Sequence, residues 1–187
     1  MKIFLLRHEK RDLDNPRFYS PLLDEGKKNA ENLKFKLDKL DIDIIFTSPF
    51  KRVLQTITPF FLYKNGTISI NREFGLYEYI ESDCNFNEED YRNDISINDF
   101  EYNIINKYYN SIVKLDEIKI DEDIRKRVNK FINNLIKQYQ NTNKNILLVT
   151  HMSIVNAILN KKDLMDYFPM GGLCEIIDLN TKKYNII

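Results

Sequence analysis

Arg7 and His8 stand together at the end of a short apolar run, Lys2 to Leu6 (KIFLL). A neutral imidazole can attack phosphorus through an unprotonated nitrogen. Neighbouring cations would bind the phosphate and help keep that imidazole neutral. Arg7 is adjacent, and a guanidinium makes bidentate contacts to phosphate oxygens. The chain has one other histidine, His151, and it too follows an apolar run, Asn145 to Thr150 (NILLVT). A histidine so placed can donate to a phosphoryl oxygen as charge builds up. Between the two lies Ser48-Pro49-Phe50-Lys51-Arg52-Val53-Leu54-Gln55-Thr56. A helix N-terminus after a strand offers an anion free N–H groups and a favourable dipole, and Arg52 lies in its first turn. Each element alone has a plain alternative: a strand-end pair, a solvated basic face, a buried histidine satisfied by a carbonyl. Their combination in one chain points to phosphoryl chemistry.

The elements that must position these residues are legible in the apolar pattern. Lys2–Leu6 and Asn145–Thr150 read as buried strands that deliver polar residues at their carboxyl ends. Ile42–Thr47 is a second buried-strand candidate and Thr67–Ile70 a third. Residues 9–21 contain Pro16 and Pro21 and read as a loop. Ala30, Leu33, Leu37 and Leu40 recur at helical spacing from about Asp24, with Asp24 and Glu25 where acids favour a helix start. Ser48 and Pro49 fit the cap and first position of the next helix. Ile124, Val128, Phe131, Ile132, Leu135, Ile136 and Tyr139 mark an amphipathic helix over Asp123–Gln140. A helix resumes with Val155, Ile158 and Leu159. Gly171-Gly172 precedes a strand near Cys174–Leu179, and Thr181-Lys182 turns into a last strand ending at Ile187. Residues 80–120, acidic, Asn-rich and aromatic, read as an insertion or lid. Strands alternating with helices predict an α/β fold, a three-layer α/β/α arrangement around a mostly parallel sheet. In such sheets sites form beyond the carboxyl ends of strands. Both histidines fall there.

With 187 residues the chain suits a single domain over 1–187. Lys+Arg 28 balances Asp+Glu 28, so no global basic field invites nucleic acid or an anionic membrane. Any anion site must be local. Cys84 and Cys174 match no metal or redox spacing and read as free thiols. Arg7 and His8 interrupt what would be the core of a signal peptide, and no apolar run is long enough to span a bilayer. A soluble, cytoplasmic protein is expected, with no membrane and no nucleic-acid partner.

The chain resembles the histidine phosphatase superfamily, also called phosphoglycerate mutase-like. The residues that carry the resemblance are Leu6-Arg7-His8 at a strand end, Pro21-Leu22-Leu23-Asp24-Glu25-Gly26 opening a helix, and Ser48 to Thr56. Leu76-Tyr77-Glu78 and the strand ending at His151 complete it, in the family's order across residues 2–179. The resemblance implies that His8 is the nucleophile, that Arg7, Arg52 and His151 complete the phosphate pocket, and that Glu78 is the general acid. Glu78 then needs a raised pKa, towards which a bound phosphate pushes it. Glu73 and Glu81 are rival acids outside the Leu-x-Glu position. Met152, where another branch of the superfamily carries an Asp after its second His, favours the branch that uses Glu78.

Glu9 stands where the family has Gly, and would repel phosphate unless it points away or pairs with Lys10 or Arg11. Arg11 resembles a further phosphate contact in an Arg-His-Gly-Glu-Arg subgroup. The expected reaction is metal-free and cofactor-free hydrolysis of a phosphomonoester, either a small-molecule ester or a phosphoprotein, by a monomer or homodimer. Mutases of this superfamily are usually longer, with an extended insertion, which leaves phosphoglycerate-mutase-type transfer as the alternative. A pseudo-enzyme that only binds a phosphorylated ligand is a second alternative, although binding alone would not need Glu78. The aromatic residues Tyr77, Tyr79, Phe86, Tyr91, Phe100 and Tyr102 are candidates to line a lid.

Overall fold

The sheet is built from the apolar runs that the sequence marks. In the computed structural model, residues 1–13, 20–65, 67–76, 78 and 123–187 are described. Expectations for Tyr77, Glu81, Cys84, the lid at 80–120 and its aromatic residues lie outside them. Strands β1 (Lys2–Arg7), β2 (Ile44–Thr47), β3 (Ser69–Arg72), β4 (Asn145–Thr150), β5 (Leu173–Asp178) and β6 (Lys183–Ile186) form one sheet in the order β3-β2-β4-β1-β5-β6. The first four neighbours pair in parallel. β5 runs antiparallel to β1, and β6 antiparallel to β5. Among the described residues the helices are α1 (Asp24–Asp38), α2 (Lys51–Tyr63), α3 (Ile124–Tyr139) and α4 (Met152–Ile158), with a 3₁₀ turn at Phe74–Leu76.

Alternation along the strands divides the core in two. Phe4, Leu6, Ile45, Leu147 and Val149 face one side, where Leu33 and Leu37 of α1 meet Val53, Ile57 and Phe60 of α2. Ile3, Leu5, Phe46, Ile146 and Leu148 face the other, against Val128, Phe131 and Leu135 of α3 and Ile154 and Val155 of α4. The result is the expected three-layer α/β/α arrangement with a mostly parallel sheet. Each strand residue in these clusters is almost fully buried, so replacing one Leu by Ala would cost about 2–5 kcal/mol.

Three boundaries move, each for a local reason. β2 begins at Ile44 rather than Ile42, because Asp41 takes a left-handed turn (φ 47°) and the Asp43 carboxylate accepts the Asn145 N–H at 2.8 Å. β3 begins at Ser69, because Thr67 closes the turn after α2 with its N–H and hydroxyl on the Lys64 carbonyl. α2 begins at Lys51 with Phe50 as its cap and no side-chain cap bond. Ser48 is therefore not the helix cap; its hydroxyl is engaged elsewhere, in the site itself. Asp123 caps α3 through its carboxylate and the Arg125 N–H at 3.0 Å.

Candidate active site

Strand register brings the chemistry-bearing residues to one edge. Arg7 pairs with Thr150, and Thr47 with Val149. The ladder continues one step further: the N–H of His8 donates to Thr150 O, and that of Ser48 to Val149 O, both at 2.9 Å. His8, Ser48 and His151 thus leave three adjacent parallel strands side by side at their carboxyl ends, where open α/β sheets place ligands.

His8 is buried, and its Nδ1 lies 2.7 Å from the carbonyl oxygen of Glu9. A carbonyl can only accept, so Nδ1 carries the hydrogen and Nε2 keeps its lone pair. The ring meets that of His151 edge-on at 5.4 Å and 66°. Burial, then the neighbouring His151 and Arg52, hold the His8 pKa well below 6.5. The ring is neutral at physiological pH, the form able to attack phosphorus.

Arg52 is fully buried in the first turn of α2, its guanidinium 4.4 Å over the Phe50 ring. Phe50 also meets His151 edge-on at 4.6 Å. Arg52 donates to Glu78 Oε2 at 3.1 Å, and Ser153 Oγ donates to Glu78 Oε1 at 3.1 Å. His151 Nδ1 lies 3.1 Å from the same Oε2, while its Nε2 is 2.8 Å from Ser48 Oγ. With the hydrogen on Nδ1, Nε2 accepts from the Ser48 hydroxyl, while Nδ1 lies near the Glu78 carboxylate without an aligned hydrogen bond among the described residues. Burial pushes the His151 pKa down to about 4, outweighing the pull of Glu78. For Glu78, burial pushes upward, but His151, Arg52 and His8 outweigh it and hold the carboxyl well below the usual range. The raised pKa expected of Glu78 is therefore not a property of the resting site. Its carboxylate is ionised because a permanent cation sits beside it.

Arg7, the last residue of β1, is tied to the loop before β5. Its Nη1 donates to the Phe168 carbonyl, and its guanidinium is close enough to feel both Glu78 and Arg11. Arg11 donates to Asp12 O at 2.6 Å and its charge also reaches His151. Arg7 Nε and Arg11 Nε are buried donors with no acceptor among the described residues. Both suit an anion held between them.

Glu9 pairs with neither Lys10 nor Arg11. Lys10 reaches Glu25 at 2.6 Å. The Glu9 carboxylate is buried towards α1, where Asn29 Nδ2 donates to it at 3.2 Å, and against Gly171. The rival Glu73 is also buried, and its Oε1 accepts the N–H of Gly75 inside the 3₁₀ turn.

Other residues of the recognised motifs hold the frame. Gln55 Oε1 accepts the Leu22 N–H at 2.8 Å, and Thr56 Oγ1 accepts the Glu9 N–H at 3.0 Å. Together they fasten α2 to the chain at Glu9 and at Leu22, both ahead of α1. A β-carbon on Gly26 would stand 2.3 Å from the Lys10 carbonyl, which is why that approach needs glycine. Sequence reasoning missed the roles of Ser48, Phe50, Ser153 and Asn29. Of these, Ser153 alone carried a signal, a hydroxyl two residues after His151 at a helix start. Among the described residues no group of three or more His, Cys, Asp or Glu could hold a metal ion, and no helix is long and apolar enough to cross a membrane. Cys174 is buried and free, its thiol pushed up to about 12 by burial.

A family profile described as the histidine phosphatase superfamily (branch 1) matches residues 3–170. No curated protein matches the sequence. Among solved structures, the chain is similar to the ecdysone phosphate phosphatase of Bombix mori in complex with tungstate, with a TM-score of 0.68 at 14% identity, covering 100% of this chain and 91% of that one. It is similar to the alpha-ribazole phosphatase of Shigella flexneri at 0.63 and 20%, covering 100% and 95%. It is also similar to the phosphoglycerate mutase of Bacillus anthracis at 0.62 and 15%, covering 100% and 91%. At these identities the likeness is one of fold.

Proposed function

The chain belongs to the histidine phosphatase superfamily, and from that premise we propose that it hydrolyses phosphomonoesters through a phosphohistidine on His8. Its substrate is a small-molecule phosphate ester or a phosphoprotein. Nε2 of His8 attacks phosphorus, forming an N–P bond as the P–O bond to the leaving group breaks. Arg7, Arg52 and His151 hold the non-bridging oxygens, and Arg11 adds a further contact. Glu78 gives its proton to the departing oxygen. It then takes one from the water that attacks phosphohistidine, releasing phosphate and restoring His8.

The observation that carries this reading is the 2.7 Å contact between His8 Nδ1 and the Glu9 carbonyl. It fixes the tautomer that leaves Nε2 free, in a ring that burial and the neighbouring His151 and Arg52 keep neutral. A site meant only to bind phosphate would gain from a protonated histidine and has no use for an ionisable carboxylate among its cations. Glu78 begins ionised. An arriving phosphate dianion competes for Arg52 and His151, and its charge favours protonated Glu78. Substrate entry thus loads the acid.

The test is hydrolysis of p-nitrophenyl phosphate in the presence of EDTA by wild type and His8→Ala. Activity that survives chelation and vanishes in the variant is expected. Activity that persists in His8→Ala would exclude the phosphohistidine route. A wild type inert across mildly acidic to neutral pH would favour transfer to a bound acceptor, as in a mutase, or binding alone.

A further inference from the structure

Tyr167 is 80% exposed, yet the loop that carries it is tied down on both sides. Asn156 is fully buried in α4, and its Nδ2 donates to Leu164 O at 2.9 Å and to Asp166 O at 2.6 Å. On the other side Phe168 is buried, and its carbonyl accepts from Arg7 Nη1. Residue 167 therefore stands between two anchored neighbours, one step from a carbonyl held by an arginine of the pocket. Its phenol is close enough to interact electrostatically with Arg7 and Lys10. Single exposed aromatic residues are ordinary. This one is fixed by the backbone next to a residue whose carbonyl Arg7 holds.

We propose that Tyr167 is a specificity-determining residue, which packs against the group esterified to the phosphate and favours aryl over small alkyl esters. The proposal rests on the reading of the same pocket as a phosphomonoester site. A phosphoryl group held by Arg7 and Arg52 must direct its bridging oxygen out of the pocket. Whatever that oxygen carries crosses the rim. A planar ring there meets Tyr167 in offset or edge-on contact. Because the loop is already fixed, little ordering cost offsets the contact. A short alkyl group presents too little apolar surface to gain from it.

Phosphonates, whose C–P bond resists hydrolysis, separate this contact from turnover. Calorimetric binding of phenylphosphonate and methylphosphonate would be measured on wild type, Tyr167→Ala and Tyr167→Phe. Wild type binds the phenyl compound more tightly. Tyr167→Ala lowers that preference roughly 3- to 10-fold and leaves methylphosphonate binding unchanged, while Tyr167→Phe retains the preference. An unchanged preference in Tyr167→Ala, or equal weakening of both ligands, would overturn the proposal. Methylphosphonate failing to bind wild type would overturn the phosphate pocket itself, and this inference with it.

Discussion

The Glu9 carboxylate fills the space that a side chain on Gly171 would need: a β-carbon there would lie 2.0 Å from Glu9 Oε1. Gly171 also sits at φ +67° and donates its N–H to the His8 carbonyl at 3.1 Å. The residue that replaces the family's glycine after His8 is accommodated by a glycine elsewhere.

Gly171→Ala should therefore destabilise the protein by about 1–3 kcal/mol, from left-handed strain and the clash together. In a Glu9→Ala background the clash disappears and the strain, about 1 kcal/mol, remains. A double-mutant cycle by chemical denaturation checks this. Equal losses in both backgrounds would mean that Glu9 does not occupy the space beside Gly171.

Acidification should weaken the fold from three groups acting in one sense. His8 and His151 have folded pKa values below the ordinary 6.5, that of His151 at about 4. Glu78 lies below its ordinary 4.5. In each case the unfolded chain takes up its proton first as pH falls, so stability drops with pH. The loss begins near 6.5 for the histidines and is joined by Glu78 below 4.5. Thermal melting from pH 8 to 4 should show a plateau and then a falling limb. His151→Gln should flatten the part of that limb above 4.5; an unchanged limb would mean that His151 is not held neutral by burial.

The sheet and most of the pocket were legible because they rest on local pattern. Apolar runs that end in Arg7-His8 and in His151 mark strands by composition, and parallel sheets align strand ends. Arg52 followed from the helix after β2. What stayed hidden depends on contacts between distant segments. Ser48 looked like a helix cap because Ser before Pro usually is one, but its hydroxyl answers His151, 103 positions away. Nothing near Glu9 in sequence points to Asn29 or Gly171, its neighbours in space. Glu78 was placed by motif, but its resting charge depends on Arg52 and His151 touching the same oxygen, which spacing does not encode.

Glu78→Gln should separate the two parts played by that carboxylate. At rest it touches Arg52, His151 and Ser153, the first two of which are proposed to hold phosphate. Removing its charge should tighten binding of inorganic phosphate, measured by calorimetry at pH 7, while the amide oxygen still accepts from Arg52. As an acid it is needed only where the leaving oxygen requires a proton. Turnover of an alkyl phosphate should fall about 10²- to 10⁴-fold. The first release of p-nitrophenolate from p-nitrophenyl phosphate, followed as a pre-steady-state burst, should slow much less, because p-nitrophenolate leaves without a proton and the base role of Glu78 enters only in the later hydrolysis of phosphohistidine. Binding and chemistry would then move in opposite directions from one substitution, which a general loss of structure cannot produce. An equal loss with both esters would remove Glu78 from the role of leaving-group acid. Phosphate affinity that stays the same or weakens would show that the carboxylate does not compete for the pocket.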